Sequence, residues 1–240
     1  ALHIVDYDDS EEGFSLGTPD IKSEEVGRDL VRARAARSVV NAPAPSRPLV
    51  AEEIRSKLDG DLQKEIEGVL DLSSKISDLD VAIGSLQEQE DSLEELEPLG
   101  VDLDLLSGYE SIVAFVGRVD DIPAAREVSS SGLMIESRKQ DGMVAMFLRK
   151  EDSKRAESLL ESVGFQQSPI PSGTGAIPDL LAEIRTEKDS AVDEKTRLER
   201  ELESWSQSHG ETLVCGLEVL ERDHEILTAP VRVAVSEHAF

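Results

Sequence analysis

The chain has 240 residues and carries 51 Asp plus Glu against 25 Lys plus Arg, a formal net charge of −26 with a pI near 4.4. That surface repels nucleic acid and anionic lipid, which excludes both as direct partners, and aromatic residues at 3% leave little for one thick core. Apolar residues still make up 39% of the chain in a strong pattern, so the acidic bias belongs to a folded protein and not to a disordered one.

Nine Lys against sixteen Arg, with abundant carboxylate, is the balance expected of a protein adapted to high salt, where screening makes self-repulsion tolerable. The single Cys215 forms no internal disulfide, in keeping with a reducing cytosol. No apolar run approaches the roughly 20 residues needed to cross a bilayer, and no signal peptide is legible.

In chain order, "ALHIVDYD" at the start is a short strand candidate and "DIKSEEVGRDLVRARAARSVV" is helical. "NAPAPSRP", Asn41 to Pro48, breaks any helix with its three prolines. A long helix is expected from Leu49 to Glu97. Its apolar seam places Leu62, Val69, Ile76 and Ile83 at one heptad position and Leu72, Leu79, Leu86 and Leu93 at the other. A seam this narrow on so acidic a helix implies one slender partner. "IPDLLAEIRTEKDSAVDEKTRLERELESW" supplies it: Pro178 suits a first helical turn, and Ile177, Ile184, Ala191, Leu198 and Trp205 recur every seven residues, joined by Leu181 and Leu202. The pattern continues through Leu213, Leu217 and Leu220 to Pro230, matching the first helix in length and predicting an antiparallel hairpin. Looser packing is expected from Glu187 to Lys195, where the seam is mostly charged.

Between the two helices, Ser111 to Pro171 follows a different grammar. "SIVAFVGRV" reads as a strand, "DIPAAREVSSSG" as a short helix, and "LMIESRKQDGMVAMFLRK" as two strands joined by a turn at Asp141-Gly142. "EDSKRAESLLESVGF" is a helix with Asp152 or Ser153 as N-cap and Gly164 past its end, and "QQSPIP" is a last strand. The order β-α-β-β-α-β is the ferredoxin-like split unit. "VRVAVSEHAF" closes the sequence as another strand candidate; two lone strands and one helix do not make a stable domain, so the remainder of that lobe is expected in a longer chain.

The expected fold class is α+β: a long antiparallel coiled-coil hairpin with a ferredoxin-like lobe at its tip and a second, partly missing α/β lobe at its base. The corresponding boundaries are 1–48 for part of the proximal lobe, 49–100 for the first long helix, 101–176 for the distal lobe, 177–229 for the second long helix and 230–240 for a return strand.

Candidate chemistry is sparse. "SGTGA", Ser172 to Ala176, lacks the Lys, the longer glycine pattern and the strand-to-helix context of a phosphate loop, and reads as a flexible link. His209, Cys215 and His224 match no zinc spacing. His3 and His238, with Asp6 and Asp8, become neighbours only if the terminal strands pair. Cys215 in "LVCGL" reads as a small packing residue, and Trp205 as a seam residue. No catalytic, cofactor-binding or metal-binding residue is assigned, and no cofactor is expected.

The arrangement, with "LEPLGVDLDLLSGYESIVAFVGRV" opening the distal lobe and "APVRVAVSEHAF" closing the sequence, resembles the cytoplasmic N-terminal half of subunit a of archaeal A-type and V-type ATP synthases, called subunit I in prokaryotes. The resemblance covers essentially the whole chain and rests on the order of parts together with "LxxLG" followed by "IVAFVGRV". It implies a non-catalytic stator element at the cytoplasmic face of the cell membrane. The implied partners are peripheral-stalk coiled-coil heterodimers of E- and G/H-type subunits, held at the two lobes, and a central-stalk subunit of the rotor. The membrane would be met only through a C-terminal half absent from this sequence, and the arginine essential for ion translocation belongs to that half. Stalk contacts are expected on the outer face of the distal lobe around Glu151 to Phe165. A ferredoxin-like regulatory ligand-binding module on a coiled-coil tether is the alternative; convergent polar side chains in a pocket of that lobe would favour it. An unrelated tether or chaperone-like hairpin is the third reading.

Overall fold

Two helices dominate the described residues. The computed structural model describes residues 14–16, 20–45, 50–58, 61–137, 139, 142–232 and 234–236. In order these form β1 (Phe14–Leu16), α1 (Lys22–Val39), α2 (Ala51–Leu58), α3 (Asp61–Leu96), β2 (Ile112–Arg118), α4 (Ile122–Val128), β3 (Leu133–Glu136), β4 (Met143–Arg149), α5 (Ser153–Ser162), β5 (Gln166–Gln167), α6 (Ile177–Thr228) and β6 (Ala234–Ser236). Short 3₁₀ turns lie at Glu97–Leu99, Leu103–Leu106, Ser129–Ser131, Lys150–Asp152 and Ala229–Arg232. The fold is α+β, with long helices and a small antiparallel sheet. The helix expected from Leu49 is described as α2 and α3, with residues 59–60 outside the described set.

The chain divides into two compact units, Ala1–Asp78 with Thr196–Phe240, and Leu79–Lys195. In the first, α1, α2, the start of α3 and the later part of α6 share one core. Leu30, Ala33 and Ala36 of α1 meet Ile54 and Leu58 of α2, Ile66 and Val69 of α3, and Leu213 and Leu220 of α6. Small residues on α1 permit close helix approach. Arg55 on α2 clamps Asp223 on α6 with two hydrogen bonds, Nε to Oδ2 at 2.8 Å and Nη2 to Oδ1 at 2.6 Å, a fork that fixes orientation as well as distance. β1 and β6 pair antiparallel, Phe14 opposite Ser236. Of the terminal strand candidates, the segment "ALHIVDYD" lies outside the described residues, as do His3, Asp6, Asp8 and His238.

The second unit holds a four-stranded antiparallel sheet in the order β3-β4-β2-β5, with α4 and α5 in the crossovers. Because side chains alternate across a strand, Val116, Met143 and Ala145 face Leu96, Leu103, Leu106, Ile177 and Leu181. Phe115, Val144, Met146 and Leu148 face Ala125, Ala156 and Leu160 on the other side. Two covered faces explain why β4, "MVAMFLR", shows no polar alternation. Gly117 of β2 sits opposite Gln167, and a Cβ there would come within 2.0 Å of the Gln166 carbonyl oxygen, so glycine is what lets β5 pair. At the α5 terminus Gly164 takes φ +70°, as a left-handed helix stop requires. Asp152 stands at the N-cap, but its side chain makes no capping hydrogen bond. Of the predicted Asp141-Gly142 turn, Asp141 lies outside the described residues and Gly142 has φ +83°.

Within this unit α3 and α6 run antiparallel, Glu90 facing Arg185 and Asp80 facing Lys195. Leu79, Ile83 and Leu86 are each half-buried while their neighbours are exposed, the signature of contact with a single helix.

Leu106 is fully buried between sheet and helices, whereas Leu133 is 59% exposed. Leu106→Ala should cost about 2–5 kcal/mol and Leu133→Ala less than about 0.5 kcal/mol, read as shifts of the urea unfolding midpoint at constant salt.

Candidate functional site

The charged stretch from Glu187 to Lys195 is not a gap in the seam. Lys188, Ala191 and Lys195 continue the three-four spacing and are each half-buried, with the lysine stems lying along the partner helix. Glu90 of α3 is buried at 6% exposure and receives Nε of Arg185 at 2.7 Å on one carboxylate oxygen and Nζ of Lys188 on the other. Arg185 also reaches Glu94, and Lys188 donates to Gln87 Oε1 at 2.9 Å. Lys195 donates to Asp80 Oδ1 at 2.5 Å. Hydrogen bonds from Lys188 and Arg185 hold the Glu90 carboxyl below the usual carboxylate range, against the opposing effect of burial. The expected looseness is therefore replaced by a ladder of paired charges.

The link Ser172–Ala176 is pinned instead of loose. Leu103 N–H donates to the Gly175 carbonyl at 2.9 Å, Gly175 N–H donates to Asp104 Oδ1 at 3.0 Å, and Ala176 bridges Asp102. Those bonds tie the start of α6 to the Leu103–Leu106 turn, which is a structural task. In the first unit, His209 stacks on Trp205 with ring centroids 5.2 Å apart, and its Nε2 lies 2.9 Å from Glu65 Oε2. His224 packs against Gly27 of α1. Cys215 is half-buried, and burial, then the nearby Glu218 and Glu211, push its thiol pKa up, away from nucleophilic use. His209, Cys215 and His224 are not brought together as ligands, and among the described residues no group of His, Cys, Asp or Glu could hold a metal.

One surface the sequence did not single out is a groove of about 440 Å³ in the second unit. It lies on the sheet face that Leu96, Leu106 and Ile177 cover only in part. Leu133 and Ile135 of β3, Phe147 of β4 and Ile112 of β2 form its floor, and Val101, Leu105 and Tyr109 its wall. Tyr109 meets Phe147 edge to face at 6.1 Å, and its hydroxyl donates to the Leu105 carbonyl at 3.0 Å. Arg149 is the one charged residue in the lining. A ligand pocket of this size normally aims a few polar groups at its occupant. Here the tyrosine hydroxyl is turned to its own backbone, and no convergent polar set forms, so the feature that would favour a ligand-binding module is missing among the described residues. The signal for the groove was an apolar cluster in a loop, "VDLDLLSGYESI", with more Leu, Tyr and Ile than a solvated connection needs.

A solved structure of the cytoplasmic N-terminal domain of subunit I, homologue of subunit a, of V-ATPase matches 88% of this chain and 71% of its own length, with a TM-score of 0.53 at 16% identity. Sequence likeness carries the relation further. A-type ATP synthase subunit I of Halobacterium salinarum is 28% identical over 247 residues, covering all of this chain and 34% of that protein. The subunit I of Archaeoglobus fulgidus is 27% identical over 211 residues, covering 85% of this chain and 29% of that protein. The chain is thus a relative of A-type ATP synthase subunit I and spans about a third of the length of these relatives. Their names are those of one subunit of an A-type ATP synthase. No protein-family model matches the chain. Among the described residues no helix is long and apolar enough to cross a membrane.

Since the folded pKa of Glu90 is depressed, its stabilisation is complete above the ordinary carboxylate range (about 4) and is lost as pH falls through that range toward the lower folded value. The Tm advantage of the wild type over Glu90→Gln should be steady from pH 7 to about 5 and shrink toward pH 3, measured by circular dichroism at one salt concentration.

Proposed function

We propose that the chain is a non-catalytic stator element of a rotary A/V-type ATP synthase, at the cytoplasmic face of the cell membrane. It would link peripheral stalks to the ion-translocating membrane half and so support ATP synthesis or ion transport. The observation that carries this is sequence likeness to two subunit I proteins along 100% and 85% of the chain. The likeness of fold supports it.

The finer architecture belongs to the same proposal. In the second unit, the antiparallel pairing of α3 with α6 supports a coiled-coil hairpin, and the strand order β3-β4-β2-β5 with two crossover helices supports a ferredoxin-like lobe at its tip. We retain the boundaries 1–48, 49–100, 101–176, 177–229 and 230–240 as its parts, the first and last belonging to the proximal α/β lobe. The proposed partners are a peripheral-stalk heterodimer of E- and G/H-type subunits and a central-stalk subunit of the rotor. Paired helices resist bending better than one, and a member that must hold a stator against torque needs that stiffness. The acidic excess supports operation at high salt.

The test is co-sedimentation of the chain with the purified stalk heterodimer at high and at low salt. A stoichiometric complex at high salt is the expected result; a chain that sediments independently of the heterodimer at every salt concentration overturns the stator reading.

A further inference from the structure

We propose that the apolar groove formed by Leu105, Tyr109, Ile112, Leu133, Phe147 and Arg149 is the seat of one amphipathic helix from another polypeptide, with an apolar stripe inward and carboxylates on its flank.

Four of the groove's side chains are large, apolar and exposed: Leu133 at 59%, Leu105 at 47%, Tyr109 at 42% and Ile112 at 39%. Scattered singly such residues mean little, but converging on one concave surface they mark an interaction site. The shape of the occupant follows from the rest of the same sheet face. Its covered half is packed by the end of α3, the Leu103–Leu106 turn and the start of α6, so the bare half beside it has the form of a place for one more helix. The lining side chains stand up from the pleat, and the floor is a sheet face, not a strand edge, which favours a helix laid across it over an added strand.

The charge of the occupant follows from composition. Acidic residues number 51 in 240, yet the ten lining residues include no Asp or Glu, and the single charge is Arg149. Lys150 follows it in sequence. Arg149 lies 3.6 Å from Glu151, and both side chains are about three-quarters exposed (74% and 73%). One arginine beside an acid-free apolar floor, on an otherwise strongly acidic molecule, offers a local counter-charge to a carboxylate on the flank of the seated helix. A second copy of this chain would set like charge against like charge outside the groove, so another polypeptide is favoured. The assignment stands on the groove itself, independently of which assembly supplies the helix.

The test places p-benzoylphenylalanine at position 133 of the protein in its own cells, cross-links the intact complex with light, and sequences the captured segment by mass spectrometry. Val81, 73% exposed and outside the groove, is the control position. The expected capture is a segment with apolar residues at three-four spacing and flanking Asp or Glu, and Arg149→Glu should lower its yield about fivefold, the scale of one exposed ion pair. Both altered side chains are solvent-exposed, so a circular dichroism spectrum identical to that of the wild type accompanies each. A stalk subunit as the source supports the stator reading as well; an acidic amphipathic helix from any other protein upholds the groove and removes the stalk from it. Capture of a basic segment, a second copy or lipid overturns the proposal, as does a yield no higher than at position 81.

Discussion

The second unit depends on one constraint: an acidic helix must lie against another helix along a row only one or two side chains wide. Leu79–Leu96 carries six Asp or Glu and no Lys or Arg, so its apolar row alone works against concentrated like charge. The facing stretch Ile177–Lys195 answers with Arg185, Lys188 and Lys195, each set opposite a carboxylate of α3. Glu90 is the tightest point, since a buried carboxylate is tolerable only when its oxygens are occupied, and two cations occupy them. Taking away one of those cations would leave a buried charge, so the ladder fixes the register of the two helices as well as holding them together.

That register positions the small sheet. Leu93 and Leu96 at the end of α3 and Ile177 and Leu181 at the start of α6 supply the packing for one sheet face. The hydrogen bonds from Leu103 to Gly175 and from Gly175 to Asp104 close the two chain crossings onto each other. A sheet covered on part of one face, with Tyr109 and Leu105 walling the bare remainder, is the direct outcome.

The helical seam was legible because its period of three and four survives from Leu62 to Leu93 without help from tertiary structure. The strand and helix order of the small sheet was legible for a similar reason: Gly164 and the run of Val and Ile in β2 are local signals. The charged stretch around Lys188 was misread as loose. A lysine at a seam position looks like a fault until the facing residue is known, and which carboxylate faces it depends on helix register, which is a long-range property. The groove was illegible on the same ground, since Ile112 and Leu133 are distant in sequence and meet only through the pairing of β2 and β3 with β4. The helix expected from Leu49 on periodicity is described as α2 and α3, and residues 59–60 between them lie outside the described set.

The edges of the sheet have a consequence for colloidal behaviour. At 1 M salt the Debye length falls to about 3 Å, and a net charge of −26 no longer keeps neighbouring molecules apart. Sheets then become vulnerable to edge-to-edge growth, because an unpaired strand is a template for another chain. Here the outer strands are β3 with four residues and β5 with two. Templates so short offer an incoming strand few backbone hydrogen bonds, and this brevity protects the molecule against aggregation under the conditions in which its charge cannot.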